Sequence, residues 1–157
     1  MIMKGLPKIL NKGQVIGMKL SGEIEKKYRV FKKTLENLET VRNIKEPYTV
    51  ISRTGIIGLF NVCSDCSYIF VRNFLMFQGY FLPVTAFPHM IIKTALQCGV
   101  IDDEELWIDM LETRNAMSRI YNEETAMKTI EKIKSEYIPA FEKLEQCIED
   151  NWLDKEE

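Results

Sequence analysis

The stretch RNAMSRIY, residues 114–121, places two guanidinium groups, an amide, a hydroxyl and a phenol close together, on Arg114, Asn115, Ser118, Arg119 and Tyr121. Guanidinium groups hold phosphate oxygens and stabilise the charge of a pentacoordinate phosphorus. They do not accept protons, because an arginine side chain stays charged up to about pH 12. Acid–base chemistry needs a side chain that takes up or gives a proton near the working pH. No histidine or carboxylate lies inside the stretch. Arg114, Asn115 and Arg119 are therefore nucleotide- or phosphate-binding candidates first. A plainer alternative pairs Arg114 and Arg119 with Asp109 and Glu112 at a helix end, with Tyr121 at the edge of the core. A continuous helix would set Arg114 and Tyr121 on one face, with Arg119 turned away by ~140°. Residues 115–120 read better as a helix end, which leaves that geometry open.

The four cysteines are Cys63, Cys66, Cys98 and Cys147, and CSDC resembles half of a zinc site. No second CxxC or CxxH follows, and His89 is the sole histidine. Cys63 and Cys66 sit in an apolar run, where thiols act as small hydrophobes. No metal and no cofactor are expected. His89 falls on a short helix, within reach of acid–base work, although a surface histidine is the commoner outcome.

The elements that must position these groups follow from periodicity. Ile24, Tyr28, Phe31, Leu35 and Leu38 repeat at steps of four and three, so a helix spans about 21–43, with Ser21 as its cap. A second helix runs from about Tyr48 to Gln78. It is apolar on most faces, as a central helix must be, and at ~1.5 Å per residue it would be ~45 Å long. β-branched residues at its start suggest a strand, but period-two alternation is missing. Gly79 stops it. FLPVTAFP is a loop; Pro88 opens a short helix to about Gln97, and Gly99 ends it. Asp102 to Glu105 crowd the start of a fourth helix, where the macrodipole favours anions. Leu106, Trp107, Met110 and Leu111 form its buried side. Asn122 or its neighbour caps the last helix, which Pro139 should kink.

These elements predict an all-α fold, an up-and-down four-helix bundle with one additional short helix. Residues 1–20 form a basic, loose extension, 21–150 the bundle, and 151–157 an acidic tail expected to fray. Met18 is a candidate alternative start. The chain has 157 residues, 46% apolar and 28% charged, with a formal net charge of −2. That length suits one domain, and that charge gives no global case for nucleic acid. CSYIFVRNFLMFQGYFLPV is broken by Arg72 and Asn73, short of the ~20 clean apolar residues of a membrane span. No signal peptide is visible, so a cytoplasmic location without membrane contact is expected.

With the elements placed, GLFNVCSDCSYIFVRNFLMFQG, FPHMIIKTALQCGVIDDEELWIDMLETRN and YNEETA together resemble the nucleotidyltransferase substrate-binding family. These are HepT-like helical bundles encoded beside a minimal, MntA-like nucleotidyltransferase. The resemblance covers roughly Ile24 to Ile148. It implies homodimers and a toxin–antitoxin pairing with the nucleotidyltransferase. Several such proteins are ribonuclease toxins, with an arginine followed four to six residues later by His-x-Tyr. The tyrosine accepts adenylyl groups from the partner, which silences the toxin. Residue by residue, Arg114 matches the arginine, Asn115 the asparagine after it and Tyr121 the tyrosine. Arg119 stands where the histidine belongs. The second helix, which commonly bears two acids, has Asn61 and Asp65. The resemblance thus implies that this chain is the substrate-binding partner of a minimal nucleotidyltransferase and presents Tyr121 to it for adenylylation. Arg114 and Arg119 are what remains of a catalytic motif, with ribonuclease activity weakened. The alternatives are an active ribonuclease toxin, with help from His89, and a non-catalytic nucleotide- or RNA-binding module. The Gly-Ser and paired-Asp pattern of a nucleotidyltransferase itself is missing.

Overall fold

The computed structural model describes residues 8–10, 14–16, 18–117 and 122–154. The body is helical: α1 (Gly22–Glu39), α2 (Val50–Phe77), α3 (Pro88–Cys98), α4 (Glu104–Met117), α5 (Glu123–Lys132) and α6 (Ile138–Asn151). A 3₁₀ turn, Thr40–Asn43, extends α1. Ahead of the body, Lys8–Leu10 and Gln14–Ile16 form a short antiparallel ladder, which the pattern-poor extension had not announced.

The periodicity of α1 buries the expected stripe, Tyr28, Phe31, Leu35 and Leu38. Ser21 occupies the cap position but makes no capping hydrogen bond, contrary to expectation. Thr49 does cap α2, its hydroxyl accepting from Ser52 N at 3.0 Å. The strand alternative at the start of α2 is set aside, because Val50 already lies inside the helix. α2 packs against α1, α3, α4 and α5, while α1 also meets α6, so α2 is the central rod. It is long and apolar enough to cross a membrane, with a mean hydropathy of 1.4 over its best window. The Arg72–Asn73 interruption does not remove that property, because the window can start further upstream. Here one side of the helix is core: Ile56, Phe60, Cys63, Phe70, Phe74 and Leu75 are all at most 1% exposed.

Gly79 and Gly99 adopt φ of +98° and +80° where α2 and α3 end, a conformation with little cost only for glycine. α5 and α6 are joined through a π turn, Ile133–Tyr137. Pro139 explains it. A proline has no N–H to give, and its ring crowds the carbonyl four residues back; the widened turn just before it relieves that crowding. The predicted kink takes this form. Aromatic rings fill the centre: Phe60 stacks on Tyr137 with centroids 5.2 Å apart, and Phe31 on Phe70 at 6.2 Å.

The end of the bundle is held by the residues on either side of it. Leu20 N donates to the Trp152 carbonyl at 2.8 Å, and Gln78 Nε2 to the Met18 carbonyl at 2.7 Å. Trp152 is 2% exposed, its indole meeting Phe74 edge-on at 5.0 Å. The expected fraying therefore does not reach Trp152, since burial of a large ring outweighs the acidic character around it. Residues 155–157 lie outside the described residues.

Candidate functional site

Asp103 starts α4, its carboxylate accepting from Leu106 N at 3.0 Å. From that start, Met110 points into the core, and Leu106, Trp107 and Leu111 pack against it half-buried. Three residues beyond Leu111, in the last turn, comes Arg114. A cation there suits the negative end of the helix dipole.

Arg114 is locked to α2. Its Nε donates to Asp65 Oδ1 and its Nη2 to Asp65 Oδ2, both at 2.9 Å. This is a side-on fork, the strongest geometry an arginine and a carboxylate form. Its hydrogen bonds to Asp65 hold the guanidinium pKa above its usual value, against the opposing effect of burial. Asp65 is the only acid in the 28 residues of α2. The fork uses two of the five guanidinium N–H groups and leaves the others for a ligand. The arginine side chain is 27% exposed and the aspartate 51%, so the pair sits at a rim.

Behind the rim lies a cleft of ≈ 280 Å³ between α2, α3 and α4. Tyr68 and Trp107 line it with Ile92, Met110 and Leu111; Asp65, Arg114 and Asn115 form its polar edge. One turn before Asp65 on α2, the Asn61 side-chain oxygen is buried without a hydrogen-bond partner.

The other predicted residues fall differently. Asn115 is solvent-exposed beside Arg114. Arg119 and Tyr121, and Ser118 with them, lie outside the described residues. The alternative pairing of Arg114 with Asp109 is overturned: Asp109 accepts from the Tyr137 hydroxyl at 2.5 Å and from Lys132 at 3.0 Å. Burial alone would raise the Asp109 pKa, but these two donors outweigh it and hold it below the usual range. Glu112 is exposed. His89 is exposed on the first turn of α3 and is not among the cleft-lining residues. Cys63 is fully buried, which pushes its thiol up to about 12. All four cysteines are free. Among the described residues no group of three His, Cys, Asp or Glu side chains is placed to hold a metal.

Sequence reasoning placed Arg114 at the site but did not pair it with Asp65, which is 49 residues away. The available signal was the lone acid in a long apolar helix, since a carboxylate there requires a donor. It also read Trp107 only as core, where the indole in fact walls the cleft.

A family model described as nucleotidyltransferase substrate binding protein like matches residues 26–150. No curated protein matches the chain.

Proposed function

The chain belongs to the nucleotidyltransferase substrate-binding-like family, and from that premise we propose that it is the helical partner of a minimal nucleotidyltransferase in a toxin–antitoxin module of the HepT/MntA type, presenting Tyr121 for adenylylation. In that step the phenol oxygen bonds to the α-phosphorus of ATP, pyrophosphate leaves, and the phenolic proton passes to a base on the partner or to water. Ribonuclease chemistry is weak in this reading, because Arg119 stands where the motif requires a proton acceptor and guanidinium cannot serve. His89 is exposed and does not line the cleft, which gives no support to its acting as a substitute base.

The observation that carries the reading is the Arg114–Asp65 fork. It fixes the motif arginine at the mouth of a cleft, seven residues before Tyr121 and with donors to spare. The reading takes α1, α2, α4 and the α5–α6 rod as an up-and-down four-helix bundle, with α3 as the additional short helix. It also includes a homodimer in the cytoplasm. The support for self-association is a stripe on α2, where Val62, Ile69 and Met76 recur every seven residues at 52%, 50% and 48% exposed. Such a stripe on the central helix is a contact surface in waiting.

The test is to incubate the protein with the nucleotidyltransferase encoded beside it and ATP, then weigh the intact chain. A stable complex and a mass gain of one or more AMP groups, lost in Tyr121→Phe, are expected. No complex and no gain would sink the reading. Rapid degradation of transcripts by the purified chain alone would instead support the ribonuclease alternative.

A further inference from the structure

We propose that the α2–α3–α4 cleft is a subsite for a nucleoside monophosphate group, the base lying against Tyr68 and Trp107 and the phosphate on Arg114. This rests on the reading above in one respect only, that the chain handles nucleotidyl groups.

Three features of the cleft converge on that ligand. The first is size. At ≈ 280 Å³ it falls just under the range that takes drug-sized ligands, ~300–1,000 Å³, a size that suits a single base. The second is the lining. The two half-buried aromatic side chains offer the stacking surface that unpaired bases use without regard to sequence, above an apolar floor of Ile92, Met110 and Leu111. The third is the position of charge. Arg114 is the cation on the rim, already oriented by Asp65, so a phosphate would meet a guanidinium that need not be reorganised. Asp65 keeps the pair near neutral, which favours a monoanionic or dianionic monophosphate over a long polyanion.

The other clefts described among these residues lack this combination. The one between the start of α4 and the α5–α6 rod shares Trp107 but has no second aromatic ring, and its lysine, Lys143, stands 3.6 Å from Asp102. The one between α1 and the end of α6 is crossed by Tyr28, Lys32 and Glu149, whose polar atoms already bond one another at 2.6 Å. The one beside Tyr48 is occupied along its edge by Lys134, which bonds the Tyr48 hydroxyl at 2.6 Å.

The ligand has two sources: free AMP, or an AMP group covalently held on Tyr121. The intact protein is titrated with AMP, adenosine and inorganic phosphate while tryptophan emission is followed. There are two tryptophans; Trp152 is 2% exposed, so Trp107 reports. AMP is expected to quench saturably, adenosine to bind about tenfold more weakly for want of the charge-assisted contact, and phosphate to compete without quenching. Arg114→Gln should bring AMP down to the affinity of adenosine, and Leu111→Phe, which fills the floor, should abolish the quench while circular dichroism stays helical. If Leu111→Phe fails to fold, the AMP-to-adenosine ratio in the native chain and in Arg114→Gln decides. Protein adenylylated by its partner is titrated in parallel: loss of AMP binding assigns the cleft to the tethered group, and unchanged binding assigns it to free nucleotide, and either keeps the subsite. No saturable quench at millimolar AMP, or equal binding of AMP and adenosine, would overturn it. So would an AMP quench that Leu111→Phe leaves unchanged. A mass gain with no AMP binding breaks this inference alone; AMP binding with no mass gain breaks the earlier reading alone.

Discussion

Two sides of α4 carry the same kind of chemistry, a carboxylate held by a cation, and use it differently. Toward the α5–α6 rod, Asp109 takes the Tyr137 hydroxyl and Lys132, and Tyr137 also reaches Thr113 at 2.9 Å. Tyr137 has no exposed surface and stacks on Phe60, so this network straps a core ring to a carboxylate and a lysine nearer the surface. Toward α2, Arg114 forks onto Asp65 at a rim where the carboxylate is half in water. The strap uses its polar atoms to satisfy one another around a buried ring. The fork leaves donors unspent beside a cleft. The two carboxylates differ little in exposure, 39% for Asp109 and 51% for Asp65; what separates them is the buried ring that Asp109 holds and the hydrogen-bonding capacity left on the arginine that Asp65 holds.

The largest effect should come from breaking the strap. Tyr137→Ala removes a fully buried ring and leaves Asp109 and Thr113 without its hydroxyl. Large-to-small changes of this kind cost ~3–5 kcal/mol, enough to threaten a domain whose whole stability is ~5–15 kcal/mol. Urea unfolding monitored by circular dichroism measures it; a loss below ~1 kcal/mol would show that Tyr137 is not part of the load of the core. Arg114→Gln should do the reverse. An ion pair this open contributes at most ~1 kcal/mol to stability, so the urea midpoint moves little while AMP binding or adenylylation suffers. Equal losses of stability from the two substitutions would erase the distinction between the regions.

The helices were legible because apolar residues recur at helical steps, and Asn122 was legible as a cap, its side chain accepting from Glu124 N at 2.9 Å and from Thr125 N. The Ser21 cap was misread because a cap residue needs its side chain turned toward the helix, and sequence does not report rotamers. The π turn was invisible because the proline that causes it signals disruption without specifying its form. Arg114 was found by its motif, yet its partner was not. Asp65 lies on another helix, and tertiary packing alone determines which donor a lone acid in an apolar helix meets. Asp109 was wrongly offered to Arg114 on the ground of closeness in sequence, when the Tyr137 hydroxyl and Lys132, from the facing rod, claim it.

A third carboxylate sharpens the rule by lacking a cation of its own. On the seam between α1 and α6, the Arg42 guanidinium commits to Glu142, with Nη1 to Oε2 at 2.9 Å, and stands 3.8 Å from Glu39. Lys32 is taken by Glu149 at 2.6 Å. Lys33 is taken by Glu36 at 3.4 Å. The seam therefore sets Glu36 and Glu39 from α1 and Glu142, Glu145 and Glu149 from α6 against three cations, each committed to a carboxylate other than Glu39, with the buried Cys63 thiol of α2 adding no positive charge. Burial, the hydrogen bond with Glu142 and its charge push Glu39 up to about 7, whereas Arg42 holds Glu142 below its ordinary value. The sign follows from linkage. A carboxyl whose folded pKa exceeds its unfolded value, ~4.3, adds stability that is fully present below the unfolded pKa and is lost as pH rises through about 7. Glu142 works in the opposite sense but at lower pH, so the two are separable. The expected result is a small fall in thermal midpoint between about pH 5 and pH 8 for the native chain, flattened in Glu39→Gln, which keeps the neutral form at every pH. The effect is modest because the Glu39 side chain is 32% exposed. A slope that Glu39→Gln leaves unchanged would place the titrating group elsewhere, and would mean that a carboxylate on this seam can do without a cation of its own.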